Sequence, residues 1–149
     1  MFVLLSKFEF SMKFKIDPKI MFQNIIDFEY YPNFMKQIQN VKIIKKSENK
    51  IITEETIILK SLIKKEIVQK TIHQIKENKL HSEIISGIAK NSIIDIILDG
   101  CKEETNVNVK IELKLGFKGR IFEPLIKKHL KMYIIGILRK INTRILEKS

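Results

Sequence analysis

Asn106-Val107-Asn108-Val109-Lys110-Ile111-Glu112-Leu113-Lys114-Leu115-Gly116-Phe117 decides the fold. Val107, Val109, Ile111, Leu113, Leu115 and Phe117 alternate with polar residues and Gly116, the period of a strand with one face in a core. Gly116 and Gly119 loosen the chain, and the period then changes. From about Arg120 to Glu147 the apolar residues Phe122, Leu125, Ile126, Leu130, Tyr133, Ile134, Ile137, Leu138, Ile141 and Ile145 recur at steps of three and four. That spacing predicts a helix of roughly 40 Å at 1.5 Å per residue. Lys127, Lys128, Lys131, Lys140, Arg144 and Lys148 occupy its polar face.

Upstream, Ile-, Val- and Thr-rich runs predict strands at Val41–Lys46, Lys50–Lys60, Lys64–Ile75, Lys79–Ser86 and Ser92–Leu98. Turn signals separate them at Ser47-Glu48-Asn49, Lys76-Glu77-Asn78, Gly87 with Asn91, and Asp99-Gly100. The short connections imply an antiparallel meander. At the front, Phe8, Phe10, Met12, Phe14 and Ile16 alternate with polar residues, which predicts a first strand over Lys7–Ile16. Asp17-Pro18 stops it, with Asp as N-cap and Pro at the first helical position. A helix over Pro18–Asp27 follows, then a second short helix over Phe28–Gln39, broken near Tyr31-Pro32. The expectation is an α+β domain: a seven-stranded curved antiparallel sheet wrapped on a long C-terminal helix, with two short helices after strand 1. Residues 1–149 form one domain with no repeat or linker, and space left between sheet and helix is where a ligand would sit.

At 149 residues the chain can bury roughly two thirds of its unfolded surface without staples. Hydrophobic residues at 44% and charged residues at 30% exclude disorder and low-complexity repeats. Cys101 is the single cysteine, so an intramolecular disulfide framework and multi-cysteine zinc sites are excluded, and a reducing cytoplasm is expected. The uncharged run Met132–Leu138 is far below the about 20 residues a membrane span needs, and Met1–Ser6 lacks the flanks of a signal peptide. The net charge of +11 favours anionic partners. Only three of the 28 cations are Arg, the side chain suited to bidentate reading of phosphates and bases.

The segment Ile16-Asp17-Pro18, Met21-Phe22 and Ile26-Asp27-Phe28-Glu29-Tyr30-Tyr31-Pro32-Asn33-Phe34-Met35 resembles a signature of the START-like (SRPBCC) superfamily, in its coenzyme-Q-binding and polyketide cyclase/dehydrase branch. Val41-Lys42-Ile43-Ile44 and Arg120-Ile121-Phe122-Glu123-Pro124-Leu125-Ile126 extend the likeness. The resemblance implies the helix-grip fold and a hydrophobic ligand of lipid, quinone or polyketide-like type. Relatives that are cyclases or dehydratases make catalysis an alternative, and relatives that act on ribosomes make RNA another.

Chemistry-bearing residues are sparse. His73, His81 and His129 read as structural or surface histidines, and Cys101 as an idle thiol. Glu54 and Glu55, adjacent in a strand, point to opposite faces and cannot both enter one cavity. Asp95, among four isoleucines, reads as outward and solvated. No acid/base pair can be named, so the reading leans away from an enzyme, with no catalytic residue, no cofactor and no metal ligand assigned. The cavity candidates are Phe28, Tyr31, Phe34, Met35, Phe117, Phe122, Ile126, Tyr133 and Ile137. The partner expected first is a hydrophobic small molecule, with peripheral contact to an anionic membrane; RNA or the ribosome is second. The expected location is cytoplasmic, peripheral to the membrane.

Overall fold

A computed structural model describes residues 4–60, 64–116, 120, 121 and 123–148. Phe117 and Phe122, two of the cavity candidates, lie outside the described residues. The first strand, β1 (Leu4–Phe14), leads into α1 (Pro18–Ile25) and a 3-10 helix (Phe28–Asn33). Six strands follow: β2 (Ile38–Lys46), β3 (Lys50–Lys60), β4 (Lys64–Lys76), β5 (Lys79–Ile84), β6 (Ile93–Cys101) and β7 (Glu104–Leu115). The chain then enters α2 (Glu123–Lys148). The sheet order is β1-β7-β6-β5-β4-β3-β2, every pair antiparallel. This is the helix-grip architecture expected from the sequence.

Local chemistry sets the element ends. Asp17 caps α1, its carboxylate accepting from Lys19 N–H at 2.8 Å, with Pro18 at the first helical position. That helix ends at Ile25 instead of Asp27. The Tyr31 hydroxyl donates to the Ile25 carbonyl, one of the groups a helix end leaves without an internal partner. The second short helix is a single 3-10 segment over Phe28–Asn33, shorter than the expected Phe28–Gln39, and Pro32 inside it supplies no N–H to either kind of helical ladder. Residues from Ile38 onward join β2, longer than expected. The β6–β7 turn also moves: Asp99-Gly100-Cys101 belong to the strand, and Cys101 pairs with Glu104. Gly100 permits this, because at φ +142° a Cβ would lie 2.1 Å from the Glu104 carbonyl oxygen.

The two alternating stretches share one face. Phe8, Phe10 and Met12 pair across from Ile111, Val109 and Val107. The β7 residues Val107, Val109, Ile111, Leu113 and Leu115 are fully buried. On the other face Lys7–Glu112 and Lys13–Glu104 are exposed ion pairs, each contributing about 0–1 kcal/mol. The 26-residue α2 runs about 39 Å across the apolar face. Four of its seven Lys and Arg side chains are engaged within the chain. Lys127 and Lys131 stand 5.3 and 5.7 Å over the Phe8 and Phe10 rings. Lys140 donates to the Phe34 carbonyl, and Arg144 stacks at 3.6 Å on Tyr30 and pairs with Asp27.

Ile141, fully buried in the core with Met21 and Ile25, should be a sensitive position. Ile141→Ala is expected to cost about 2–5 kcal/mol. Met132→Ala, at a residue 55% exposed on the same helix, should stay within about 0.5 kcal/mol of wild type. Urea unfolding of both variants checks the assignment of faces, and equal costs would contradict it.

Candidate functional site

Three adjacent strands put polar side chains on a face that is otherwise apolar. On β3 the inward positions read Ile51, Thr53, Glu55, Ile57, and on β4 Ile67, Gln69, Thr71, His73, Ile75. On β5 they read Leu80, Ser82, Ile84. Pairing aligns Thr53 with Thr71, Glu55 with Gln69 and His73 with Ser82. The polar residues therefore form one patch, and they line a cavity of about 150 Å³. Ile25, Phe28, Tyr31, Val41, Ile94 and Ile96 supply apolar wall, and Leu130, Ile134, Ile137 and Leu138 of α2 roof it. A second cavity of about 70 Å³ continues along α2, lined by Ile126, His129, Tyr133 and Ile57 among others. Gln69, Ile84 and Leu130 are walls common to both.

The polar groups are joined in a chain. Thr53 Oγ1 lies 3.1 Å from Glu55 Oε1 and 2.8 Å from His73 Nε2, and His73 Nδ1 lies 2.7 Å from Ser82 Oγ. With Glu55 ionised, the carboxylate can only accept, so Thr53 donates to it. Thr53 then accepts from His73 Nε2–H, and Nδ1 accepts from the Ser82 hydroxyl. With Oε1 protonated, that oxygen donates to Thr53, which frees the Thr53 hydrogen to donate to Nε2 in the tautomer that carries its hydrogen on Nδ1. Phe28 stacks on the His73 ring at 3.9 Å and 19°, which fixes the ring plane. Burial holds His73 neutral, its pKa lowered to about 3. Burial also raises Glu55 to about 7, against the lowering effect of the Thr71 and Thr53 hydroxyls and its own backbone, while the Glu54 charge adds slightly to the rise. Tyr31 is raised above its usual range by burial first, then by Asp27 and Glu55. Glu55 Oε2 and Thr71 Oγ1 are buried with no hydrogen-bond partner among the described residues. A buried carboxyl that titrates near neutrality, coupled to a neutral imidazole, can hold a ligand by hydrogen bonds or exchange a proton with it.

The sequence-derived candidates divide. Phe28, Tyr31 and Ile137 line the main cavity, and Ile126 and Tyr133 line the adjoining one. Phe34 is buried in the core against Tyr30, with ring centroids 5.0 Å apart. Met35 lies beneath α2, where a Cβ on Gly136 would stand 3.1 Å from its sulfur. Neither Phe34 nor Met35 lines the main or the adjoining cavity. His73 is a buried, hydrogen-bonded residue of the cavity wall, in keeping with a structural histidine, and Glu55 is linked to it through Thr53. The opposite-face argument for the carboxylate pair holds, with Glu55 turned into the cavity. Asp95 faces outward and pairs with His81, Ile94 and Ile96 on either side of it turning inward. Cys101 is exposed. Among the described residues no three His, Cys, Asp or Glu side chains are grouped to hold a metal ion, and no helix is long and apolar enough to cross a membrane.

Fold and cavity together define an α+β helix-grip domain with space between its sheet and its long helix. The sequence matches the family model "Polyketide cyclase / dehydrase and lipid transport" over residues 15–135, and the chain belongs to that family. No curated protein sequence matches. Solved structures align over nearly the whole chain. A protein from Thermus thermophilus is 13% identical at a TM-score of 0.82, covering 97% of this chain and 99% of that one. The Zhui aromatase/cyclase from a Streptomyces species is 7% identical at 0.79, covering 95% and 96%. A START superfamily protein from Mycobacterium smegmatis is 12% identical at 0.75, covering 92% and 97%. At these identities the likeness shows the fold.

The two shifted groups have opposite effects on stability. The folded state holds a proton on Glu55 that the unfolded chain releases near pH 4.5, so this stabilising contribution is lost as pH rises to about 7. His73, neutral down to about pH 3 when folded, contributes stability above pH 6.5 that is lost as pH falls. Glu55→Gln removes the first titration only. Its stability relative to wild type should climb between pH 4.5 and 7 by roughly 3 kcal/mol, at about 1.4 kcal/mol per pH unit. Denaturant unfolding across that range measures it, and a difference independent of pH would mean that Glu55 titrates as an ordinary carboxylate.

Proposed function

We propose that this chain binds an apolar small molecule in the cavity between the sheet and α2 and acts as its carrier. One observation carries the reading: the apolar face of the sheet is roofed by Leu130, Ile134, Ile137 and Leu138, yet space remains beneath them with hydrogen-bonding side chains at its wall. A domain built only for stability would fill that space and keep polar groups out of it. Family membership supports the reading, since the family includes lipid transport. Lipid, quinone and polyketide-like molecules all pair an apolar body with a few oxygen functions. Carriage in the cytoplasm, with transient contact at an anionic membrane, belongs to the same proposal. The cations along α2 speak less for RNA, because Lys127, Lys131, Lys140 and Arg144 already have partners within the chain.

A second reading, a cyclase- or dehydrase-type enzyme, is favoured by Glu55. A carboxyl with its pKa near 7 can both take and return a proton at neutral pH. The resemblance of fold to an aromatase/cyclase is compatible with this. Turnover of a polyketide-like substrate with a pH inflection near 7, absent in Glu55→Gln, would establish it.

Ile137 is buried and lines the roof of the cavity. Ile137→Trp is expected to fill the space and weaken binding of a fluorescent hydrophobic probe at least tenfold. Met132→Trp on the exposed face should leave binding unchanged. Circular dichroism establishes that both variants fold, and unchanged probe binding in folded Ile137→Trp would place the ligand elsewhere.

A further inference from the structure

We propose that the ligand held at the polar wall is a one-ring molecule bearing a single hydroxyl, a monocyclic phenol, with its oxygen seated between Glu55 and Thr71. This rests on the carrier reading and narrows it. Three observations lead to it: the volume, the unpartnered atoms and the absence of cations from the described lining.

The volume sets the size. A cavity of about 150 Å³ lined by aliphatic and aromatic side chains is the size that accepts benzene. It is below the roughly 300–1,000 Å³ of pockets that take drug-sized molecules. The Phe28 and His73 rings, stacked at 3.9 Å, give it two flat side chains.

The unpartnered atoms set the polar group. Glu55 Oε1 is taken by Thr53, while Glu55 Oε2 and Thr71 Oγ1 have no partner among the described residues. Thr71 pairs across from Thr53 and Gln69 from Glu55, so Glu55 and Thr71 are diagonal neighbours on the inward face and line the same cavity. A ligand hydroxyl can donate to Oε2 and accept from the Thr71 hydroxyl, so one group satisfies both. An ammonium carries three donors and no acceptor, so it could not accept from the Thr71 hydroxyl. A carboxylate is disfavoured because no Lys or Arg is among the described cavity-lining residues, and Glu55 itself is acidic. The molecule's +11 charge is thus absent from this wall.

The test compares p-cresol with toluene, a pair that differs by the hydroxyl, by calorimetry or by displacement of a fluorescent probe. In a purely apolar cavity the hydroxyl is a burden, because burying it unpaired costs free energy, and toluene binds more tightly. Here p-cresol is expected to bind at least tenfold more tightly than toluene. Thr71→Val should reduce that preference, and Glu55→Met should reverse it, with toluene binding retained in both. Toluene binding as tightly as p-cresol or better in the wild type would overturn the proposal while leaving an apolar carrier intact. Failure of both compounds to bind would overturn the proposal, while the hydrophobic-probe measurement on Ile137→Trp decides the carrier reading separately. The wild-type comparison stands even where a variant fails to fold.

Discussion

One helix has to cover the apolar face of seven strands, and the rest of the structure follows from how it does so. α2 is fastened most firmly in its C-terminal half. Ile141 and Leu138 are buried in the core with Met21 and Ile25 of α1. Lys140 and Arg144 tie the same stretch to Phe34, Tyr30 and Asp27 in the segment after α1. A straight rod anchored there cannot follow a curved sheet along its whole length. Beneath Leu130, Ile134 and Ile137 the two surfaces diverge, and the cavities occupy that divergence. The cavity is therefore a consequence of matching a straight element to a curved one.

The polar patch shows how a small interior can carry chemistry without an ion pair. Thr53, His73, Ser82 and Glu55 satisfy one another in sequence, and each bond fixes the direction of the next. A hydroxyl between carboxyl and imidazole sets the histidine tautomer when Glu55 is ionised, because the one Thr53 hydrogen is then given to the carboxylate. Stacking on Phe28 then holds the ring where the chain needs it. Such networks define a unique arrangement when complete, and a single loose end is where a partner from outside can join. The loose end here is at Glu55 Oε2 and Thr71.

The frame of the fold was legible in the residues because its periods are clean. The alternations of Phe8–Phe14 and Val107–Leu115 leave one choice of inward face, and the three-and-four spacing after residue 123 leaves one choice of helix stripe. Asp17-Pro18 marks a helix start by its own chemistry. The middle strands are different. On β3, Ile51 and Ile57 point one way and Ile52 and Ile58 the other, and on β4 Ile67 and Ile75 compete with Val68 and Ile72. With both parities apolar, period alone does not tell which of Glu54 and Glu55 is inside. The partners of His73 come from β3 and β5, and only the register brings Thr53 and Ser82 to its two nitrogens. A signal was present in the parity that encloses Thr53 with Glu55 and Thr71 with His73 between isoleucines. Its meaning depended on a pairing that one strand does not contain. The wall residues Phe28 and Tyr31 were found from the segment after α1, whereas Phe34 and Met35, beside them in sequence, are spent on packing.

The sheet order also bears on how the chain reaches this state. β1 is made first, but its ladder partner is β7, so Phe14 must wait for Thr105 and Leu4 for Leu115. Every other pair in the sheet joins strands adjacent in sequence. Closing the longest loop is thus the step that completes the sheet, and long-range pairing of this kind slows folding. Until then a strand carrying Phe8, Phe10, Met12 and Phe14 has both edges open, where in the finished sheet β7 covers one of them, and open edges are a hazard for pairing between chains. Lys7, Lys13 and Lys15, set between or beside those side chains, give the nascent segment a like charge that keeps copies apart. The basic character of the N-terminal strand thereby protects the chain during the interval when its first strand has been made and its partner has not.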